Sequence, residues 1–293
     1  MSRLFGIACI QMDARPMDLE HNLSEMVSHV QRIAGTYPMV RMMVFSEYCL
    51  YGDSLPQARF TAESIPNAMT DRLGEIARQY NTWLIPGTIL EAVDGKIHNT
   101  ALAISPDGRI AAAYRKLFPW QPLEKTDPGK DFCVFDVPGI GRFGLCICYD
   151  MWFPEVCRTL AWMGAEVILH PTMTTTGDRE QELVLARANA IFNQCYFIDV
   201  NGVGAGGIGA STITDPHGRV IQTAGESPMV MVEILDLDLV TTVREYGTAG
   251  INQHLKQLKA FPQRFPPYNE GMQNGDGFRN LGKVQQHREI KSR

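Results

Sequence analysis

The sequence predicts an α/β protein with two mixed β-sheets packed face to face and covered by helices. Three observations carry this. Apolar strand-like runs alternate with amphipathic helical segments. Some successive strands are separated by a helix, as parallel pairing requires, and others only by a tight turn, as in a hairpin. So many strands are best buried as two sheets, each covering the inner face of the other, with helices on the outer faces.

The elements follow in order. Leu4–Gln11 reads as a strand. Residues 19–33 place Leu23, Met26, Val27 and Val30 at helical spacing after an acidic first turn. Residues 41–45 are a second strand, 70–80 a helix and 82–90 a third strand. Strands 97–105 and 110–114 are joined by Pro106-Asp107-Gly108, a turn signal. Cys133–Val137 and residues 141–147 continue the sheet. Residues 154–163 form a helix with Pro in its first turn, 166–170 a strand, 180–193 a helix and 195–201 a strand. Strands 210–214 and 219–222 flank the turn Asp215-Pro216-His217-Gly218, and 230–235 closes the pattern. Beyond about Tyr246, Gly, Pro, Gln and Asn dominate and periodicity fades. Residues 1–250 are therefore expected to form one domain, and 251–293 a C-terminal arm and tail.

Composition narrows the function. The chain has 293 residues, 45% of them apolar, with no low-complexity linker before residue 250. Its net charge of −5 and the lack of a basic stripe argue against nucleic acid as a partner. No apolar run approaches the ~20 residues of a membrane span, so no membrane partner is expected. The first residues show no signal-peptide core, and a cytoplasmic protein is expected. Seven cysteines, an odd number, then read as reduced thiols.

Three reactive residues share one structural address. Glu47 follows the strand 41–45, Lys116 the strand 110–114, and Cys148 ends the strand 141–147 shortly before a helix. Ligands of α/β sheets gather beyond the carboxyl ends of strands. A thiol must lose its proton to attack a carbonyl, and Glu47 is the base at hand. Lys116 supplies a cation for an oxyanion, and the backbone N–H of Tyr149 a second donor. Cys146, two residues earlier, points to the same face but deeper, as an inert core thiol. His170, at a strand end, is the one histidine that invites a role.

The flanks of these residues resemble the nitrilase superfamily of carbon–nitrogen hydrolases. VFSEYCLYG at 44–52 is similar to the segment carrying the family's catalytic Glu, with Ser46 where Pro is common. YRKLFPW at 114–120 is similar to its Lys segment, and GLCICYDMWFPE at 144–155 to its nucleophile segment. HNTA at 98–101 resembles its Asn-containing strand, and the likeness spans roughly residues 4–235. The resemblance implies a four-layer αββα sandwich, a Cys148 thioester intermediate, no metal and no organic cofactor. It also implies a homodimer or a higher even-numbered homo-oligomer whose C-terminal arms cross the interface. PLEKTDPG at 122–129 resembles the segment that carries a further Glu in aliphatic amidases and formamidases, placing that role on Glu124.

The branch is read after the nucleophile. True nitrilases usually show Cys-Trp-Glu, and this chain has Cys148-Tyr149-Asp150, which resembles the amidase and carbamoylase branches. Many amidase-branch members carry Arg-Ala-Ile-Glu-Asn where this chain reads Asn189-Ala190-Ile191-Phe192-Asn193, a departure from ω-amidases and carbamoylases toward aliphatic amidases. Tyr149, Trp152, Met173, Thr174 and Trp120 are expected to line the substrate site. No Arg is placed for a substrate carboxylate, with Arg158 and Arg187 expected in salt bridges. The expected substrate is a small or medium uncharged primary amide. N-carbamoyl amides and then nitriles are the alternatives, and the rival class is a non-catalytic binding protein. A catalytic Cys148 is expected to outpace the other thiols with iodoacetamide, with a pH profile below that of a free thiol.

Overall fold

In the computed structural model, which describes residues 2–52, 59–279 and 281–284, the first sheet is built from the N-terminal half of the chain. Strand β1 (Leu4–Gln11) leads through helix α1 (Leu19–Thr36) to β2 (Val40–Phe45). Helix α2 (Ala68–Gln79) then leads to β3 (Trp83–Ile85). The two crossovers make β1, β2 and β3 parallel neighbours. Hairpins add the rest. β4 (Thr88–Val93) and β3 both lie antiparallel on one side of β5 (Lys96–Ile104), and β6 (Ile110–Arg115) lies on its other side. β13 (Met229–Asp236) returns to pair with β1.

The second sheet repeats the plan. β8 (Gly141–Leu145), β9 (Val167–Pro171) and β10 (Tyr196–Val200) are parallel, joined through α3 (Pro154–Trp162) and α4 (Arg179–Asn193). β7 (Cys133–Val137) pairs antiparallel with β8; β11 (Thr212–Thr214) and β12 (Val220–Thr223) close the other edge.

Three apolar layers hold four structural layers. Phe5, Ile7, Val44 and Ile85 of one sheet meet Phe143, Leu145, Val167 and Ile198 of the other, all buried. Outside the first sheet, Leu23, Met26 and Val30 of α1 and Leu73 and Ala77 of α2 pack on Ala8, Met43 and Leu84. Outside the second, Val156, Cys157 and Leu160 of α3 and Ala186 and Ala190 of α4 pack on Ile168 and Phe197. This is the αββα sandwich. The inner core draws on strands far apart in sequence, so neither sheet buries its inner face alone.

Two elements differ from the sequence reading. The single strand expected over 82–90 is broken at Pro86-Gly87, and both pieces continue along the same edge of β5. Pro86 has no N–H for the ladder. Gly87 has φ +75°, and a Cβ there would lie 1.8 Å from the Ser46 carbonyl oxygen. Gly87→Ala is therefore expected to lower the unfolding free energy by about 1–3 kcal/mol, through strain and a forced shift at Ser46, next to Glu47. Urea denaturation checks this; a midpoint equal to wild type contradicts it.

The second difference is α5 (Leu237–Tyr246), which no sequence signal marked. It starts directly from β13, with Asp236 accepting from the Asp238 N–H as its cap. Its Leu237 and Val240 plug the core between the sheets. Beyond it, α6 (His254–Ala260) and α7 (Pro266–Glu270) bury no residue, and Phe261, Phe265 and Tyr268 stay exposed. Among the described residues, no helix is long and apolar enough to cross a membrane.

Candidate active site

Cys148 stands where the extension of β8 turns into a 3-10 helix, Cys148–Trp152. Ile147 is extended, and Cys148 itself has φ +46°, a left-handed conformation that costs a non-glycine residue energy. Asp150 holds the turn. It accepts from the Ile147 N–H at 2.9 Å, the Phe118 N–H at 2.9 Å and the Tyr114 hydroxyl at 2.7 Å. Burial pushes its carboxyl up to about 6 in spite of Lys116 and those donors.

Lys116 follows β6, and Glu47 follows β2. β6 runs in the same direction as β2, because each is one antiparallel step from β5 or linked to it through β3, so their carboxyl ends share one rim. Lys116 is 1% exposed, and its ammonium donates to Glu47 Oε1 at 2.9 Å and Glu124 Oε2 at 2.7 Å. Burial alone would lower its pKa. Attraction to Cys148, Glu124 and Glu47 outweighs that, and the ammonium is held well above its ordinary range.

Glu47 is further fixed by Asn99 Nδ2 at 2.7 Å and by the Met173 N–H, which reaches Oε2 at 2.8 Å. Glu124 is saturated. It accepts from Tyr48, Asn99 and Thr126 on Oε1 and from Lys116 and the Trp120 N–H on Oε2, all within 3.1 Å. Burial raises its pKa, but Lys116 and these donors outweigh it and keep it below the usual carboxylate range.

The Cys148 thiol departs from expectation. Cys148 is half-buried as a residue, but its thiol lies in an enclosed recess. Burial, then the charge of Glu47, raise its pKa well above that of a free thiol, against the pull of Lys116. The expected acidic pH profile is thus corrected: burial and the charge of Glu47 outweigh the pull of Lys116, and the resting group is a neutral thiol. Alkylation of Cys148 by iodoacetamide is expected to keep accelerating with pH past the usual thiol range, since thiolate appears only there. A rate that levels off near neutrality would contradict this. Cys146 is fully buried beside Cys157, its thiol pushed well up by burial, as an inert core group.

His170 lies behind the nucleophile. Its Nε2 is 2.9 Å from the Cys148 carbonyl oxygen and its Nδ1 2.8 Å from Asp199 Oδ1. Both partners accept, so the ring donates twice, as an imidazolium. Burial opposes that charge, but the hydrogen bond and charge of Asp199 raise the pKa. Arg179 donates to Asp199 Oδ2 at 2.6 Å and to Glu182 Oε2 at 3.0 Å, so the buried acids and bases alternate. Parallel pairing of β9 with β10 sets His170 opposite Asp199. Arg158 and Arg187, expected in salt bridges, make none among the described residues: Arg187 donates to the Gly218 carbonyl and Arg158 Nη1 is buried without a hydrogen bond.

A small recess opens over Cys148. Trp120, Tyr149, Met173 and Thr174 line it, as expected, and Tyr149 is braced edge-on by Phe153 at 5.3 Å. Trp152 does not line it and instead points its Nε1 toward Glu182. Asp178 and Glu182 line it without having been anticipated. A larger open cleft at the β4–β6 edge holds none of these residues; its Arg115 is paired with Glu91 at 2.7 Å. Among the described residues, no group of three or more His, Cys, Asp or Glu side chains is set to hold a metal.

An αββα sandwich with Glu, Lys and Cys converging at its strand ends defines a carbon–nitrogen hydrolase. The chain belongs to that family, whose carbon–nitrogen hydrolase pattern it matches over residues 6–245. It is 34% identical over 248 residues to an (R)-stereoselective amidase of Pseudomonas sp., covering 81% of this chain and 87% of that protein. It is 33% identical to omega-amidase NIT2 of Homo sapiens over 201 residues, 63% of this chain and 72% of that protein. Saccharomyces cerevisiae Nit3, a member of branch 10 of the nitrilase superfamily, superposes with a TM-score of 0.78 at 26% identity, covering 84% of this chain and 94% of that one. A glutamate-to-glutamine mutant of the Nesterenkonia sp. AN1 amidase superposes with a TM-score of 0.74 at 25% identity, covering 82% and 93%; its active-site cysteine carries the acetamide moiety of fluoroacetamide. The chain is an amidase-type carbon–nitrogen hydrolase.

Proposed function

We propose that the chain hydrolyses a small or medium primary amide to a carboxylic acid and ammonia through a thioester on Cys148. The observation that carries this is the buried Lys116 ammonium, clamped 2.9 Å from Glu47 and 2.7 Å from Glu124 beside an enclosed thiol.

Glu47 takes the Cys148 proton as sulfur adds to the amide carbonyl. The resting thiol is neutral, so a base acting within the step is required. Lys116 and the Tyr149 N–H hold the oxyanion. Glu47 returns the proton to the nitrogen, the C–N bond breaks and ammonia leaves. Water then adds to the thioester with Glu47 taking its proton, and the C–S bond breaks as Glu47 returns that proton to sulfur, giving the acid and the thiol. Glu124 and Asn99 fix the geometry of Lys116 and Glu47. No metal or organic cofactor enters this scheme. The small cavity favours a short acyl group. The exposed Phe261, Phe265 and Tyr268, in and around α7, support an arm packed on a second copy of the chain, in an even-numbered homo-oligomer.

Ammonia release across formamide, aliphatic amides, aromatic amides, carbamoyl amines and nitriles tests the reading. Turnover of short aliphatic amides is expected. Carbon dioxide released with ammonia would favour the carbamoyl alternative, and conversion of nitriles alone would reject the amide reading.

A further inference from the structure

Two carboxylates line the cavity over Cys148 that bond-making does not use, Asp178 and Glu182. Asp178 stands at the N-cap of α4, where an Asp ordinarily accepts from the backbone N–H groups of the first turn. Here its side chain makes no cap bond and accepts from the Thr176 hydroxyl instead. Glu182 is 2% exposed. Its Oε2 accepts from Thr174 Oγ1 at 2.6 Å and from Arg179 Nη1 at 3.0 Å. Among the described residues its Oε1 meets only Trp152 Nε1, at 3.5 Å, a contact beyond the length of a good hydrogen bond. A buried carboxylate oxygen so weakly partnered gains from a ligand donor.

The surroundings say which donor. No Lys or Arg lines the cavity. The nearby cations are committed: Lys116 to Glu47 and Glu124, and Arg179 to Asp199 and Glu182. A substrate carboxylate would meet two acids and no available base. An ammonium would meet Asp178, the weakly partnered Oε1 of Glu182, and Trp120 and Tyr149, aromatic residues that line the same cavity and whose ring faces attract cations.

The geometry points to an amide whose short acyl chain carries an ammonium group, held by Glu182 and Asp178 against Trp120 and Tyr149 while its carbonyl lies at Cys148. This rests on the amidase reading above and narrows the uncharged amide expected from the sequence to a cationic one. Glu182 and Asp178 are then specificity residues.

The test uses three amides of similar size: 3-aminopropanamide, cationic at neutral pH; butanamide, its neutral isostere; and succinamate, which bears a carboxylate. Ammonia release is measured at pH 7 with the full chain. The kcat/KM for 3-aminopropanamide is expected to exceed that for butanamide by about tenfold or more, with succinamate lowest. The preference should fade as pH rises through the pKa of the substrate amine. In Glu182→Gln and Asp178→Asn the ratio of the cationic to the neutral amide should fall toward one; a ratio cancels any general loss of activity. Should Glu182→Gln fail to fold, Asp178→Asn, at a partly exposed position, carries the test.

Equal or better turnover of butanamide or succinamate overturns the inference, as does a ratio unchanged in the folded variants. Those outcomes leave the amidase reading standing. Absence of ammonia from all three amides and from acetamide and formamide overturns both.

Discussion

Cys148→Ala is expected to abolish amide hydrolysis, lowering kcat by at least about 10⁴-fold, while the fold survives. The argument is chemical. Lys116, Glu47 and the Tyr149 N–H remain in the variant, but water would have to attack an unactivated amide with no covalent intermediate. The structural cost is small because the thiol supports no ladder or cap: the turn at residues 147–150 is held by Asp150. Unfolding midpoints within about 1 kcal/mol of wild type are expected. Retained turnover would remove Cys148 from the chemistry. A collapse of the fold would mean that the left-handed turn depends on the thiol.

Lys116→Met should be almost as damaging to activity and far more damaging to stability. It removes the cation proposed to hold the oxyanion, and kcat/KM is expected to fall by about 10³-fold. It also leaves Glu47 and Glu124 buried side by side without a counter-charge. Breaking a buried pair from one side costs roughly 3–5 kcal/mol. The pH dependence fixes the cause. In the wild type Lys116 keeps Glu124 below the usual carboxylate range against burial. Without it burial prevails, and Glu124 titrates above its unfolded value. A folded pKa raised in this way gives stability that is present at acid pH and lost as pH rises through it. The urea midpoint of the variant should therefore lag wild type more at pH 8 than at pH 5. An equal lag at both would assign the loss to packing.

The sequence shows the chemistry where it is local and hides it where it is made by pairing. Glu47, Lys116 and Cys148 are legible because each sits in a short segment at a strand end, and strand ends can be read from hydrophobic runs; Glu124, in the loop after β6, is legible only through the resemblance of its segment. The sandwich follows from alternating helices and hairpins. Asp199 is different: it lies inside an apolar strand and becomes a partner of His170 only because β10 pairs with β9 in one register. Arg179 and Glu182 carry no local mark, since a charged pair three residues apart on a helix usually faces solvent. Asn99 was visible as part of a resembling strand, but its bridge between Glu47 and Glu124 needs the β5 register to be known. Helix α5 escaped notice because it starts without a loop, and the broken strand at Pro86-Gly87 because its two halves keep one edge. The acidity of Cys148 is set by burial, which no local sequence pattern shows. A nearby Lys suggests a thiolate, but burial and the charge of Glu47 outweigh the pull of Lys116.

The most direct measurement is an acid quench during the first turnover of a short aliphatic amide, followed by peptide mass mapping of all seven cysteines. An acyl group, the substrate less ammonia, should appear on the Cys148 peptide alone and disappear when substrate is exhausted. Acid product formed in that turnover with Cys148 unmodified, or with the acyl group on another cysteine, would contradict the thioester mechanism.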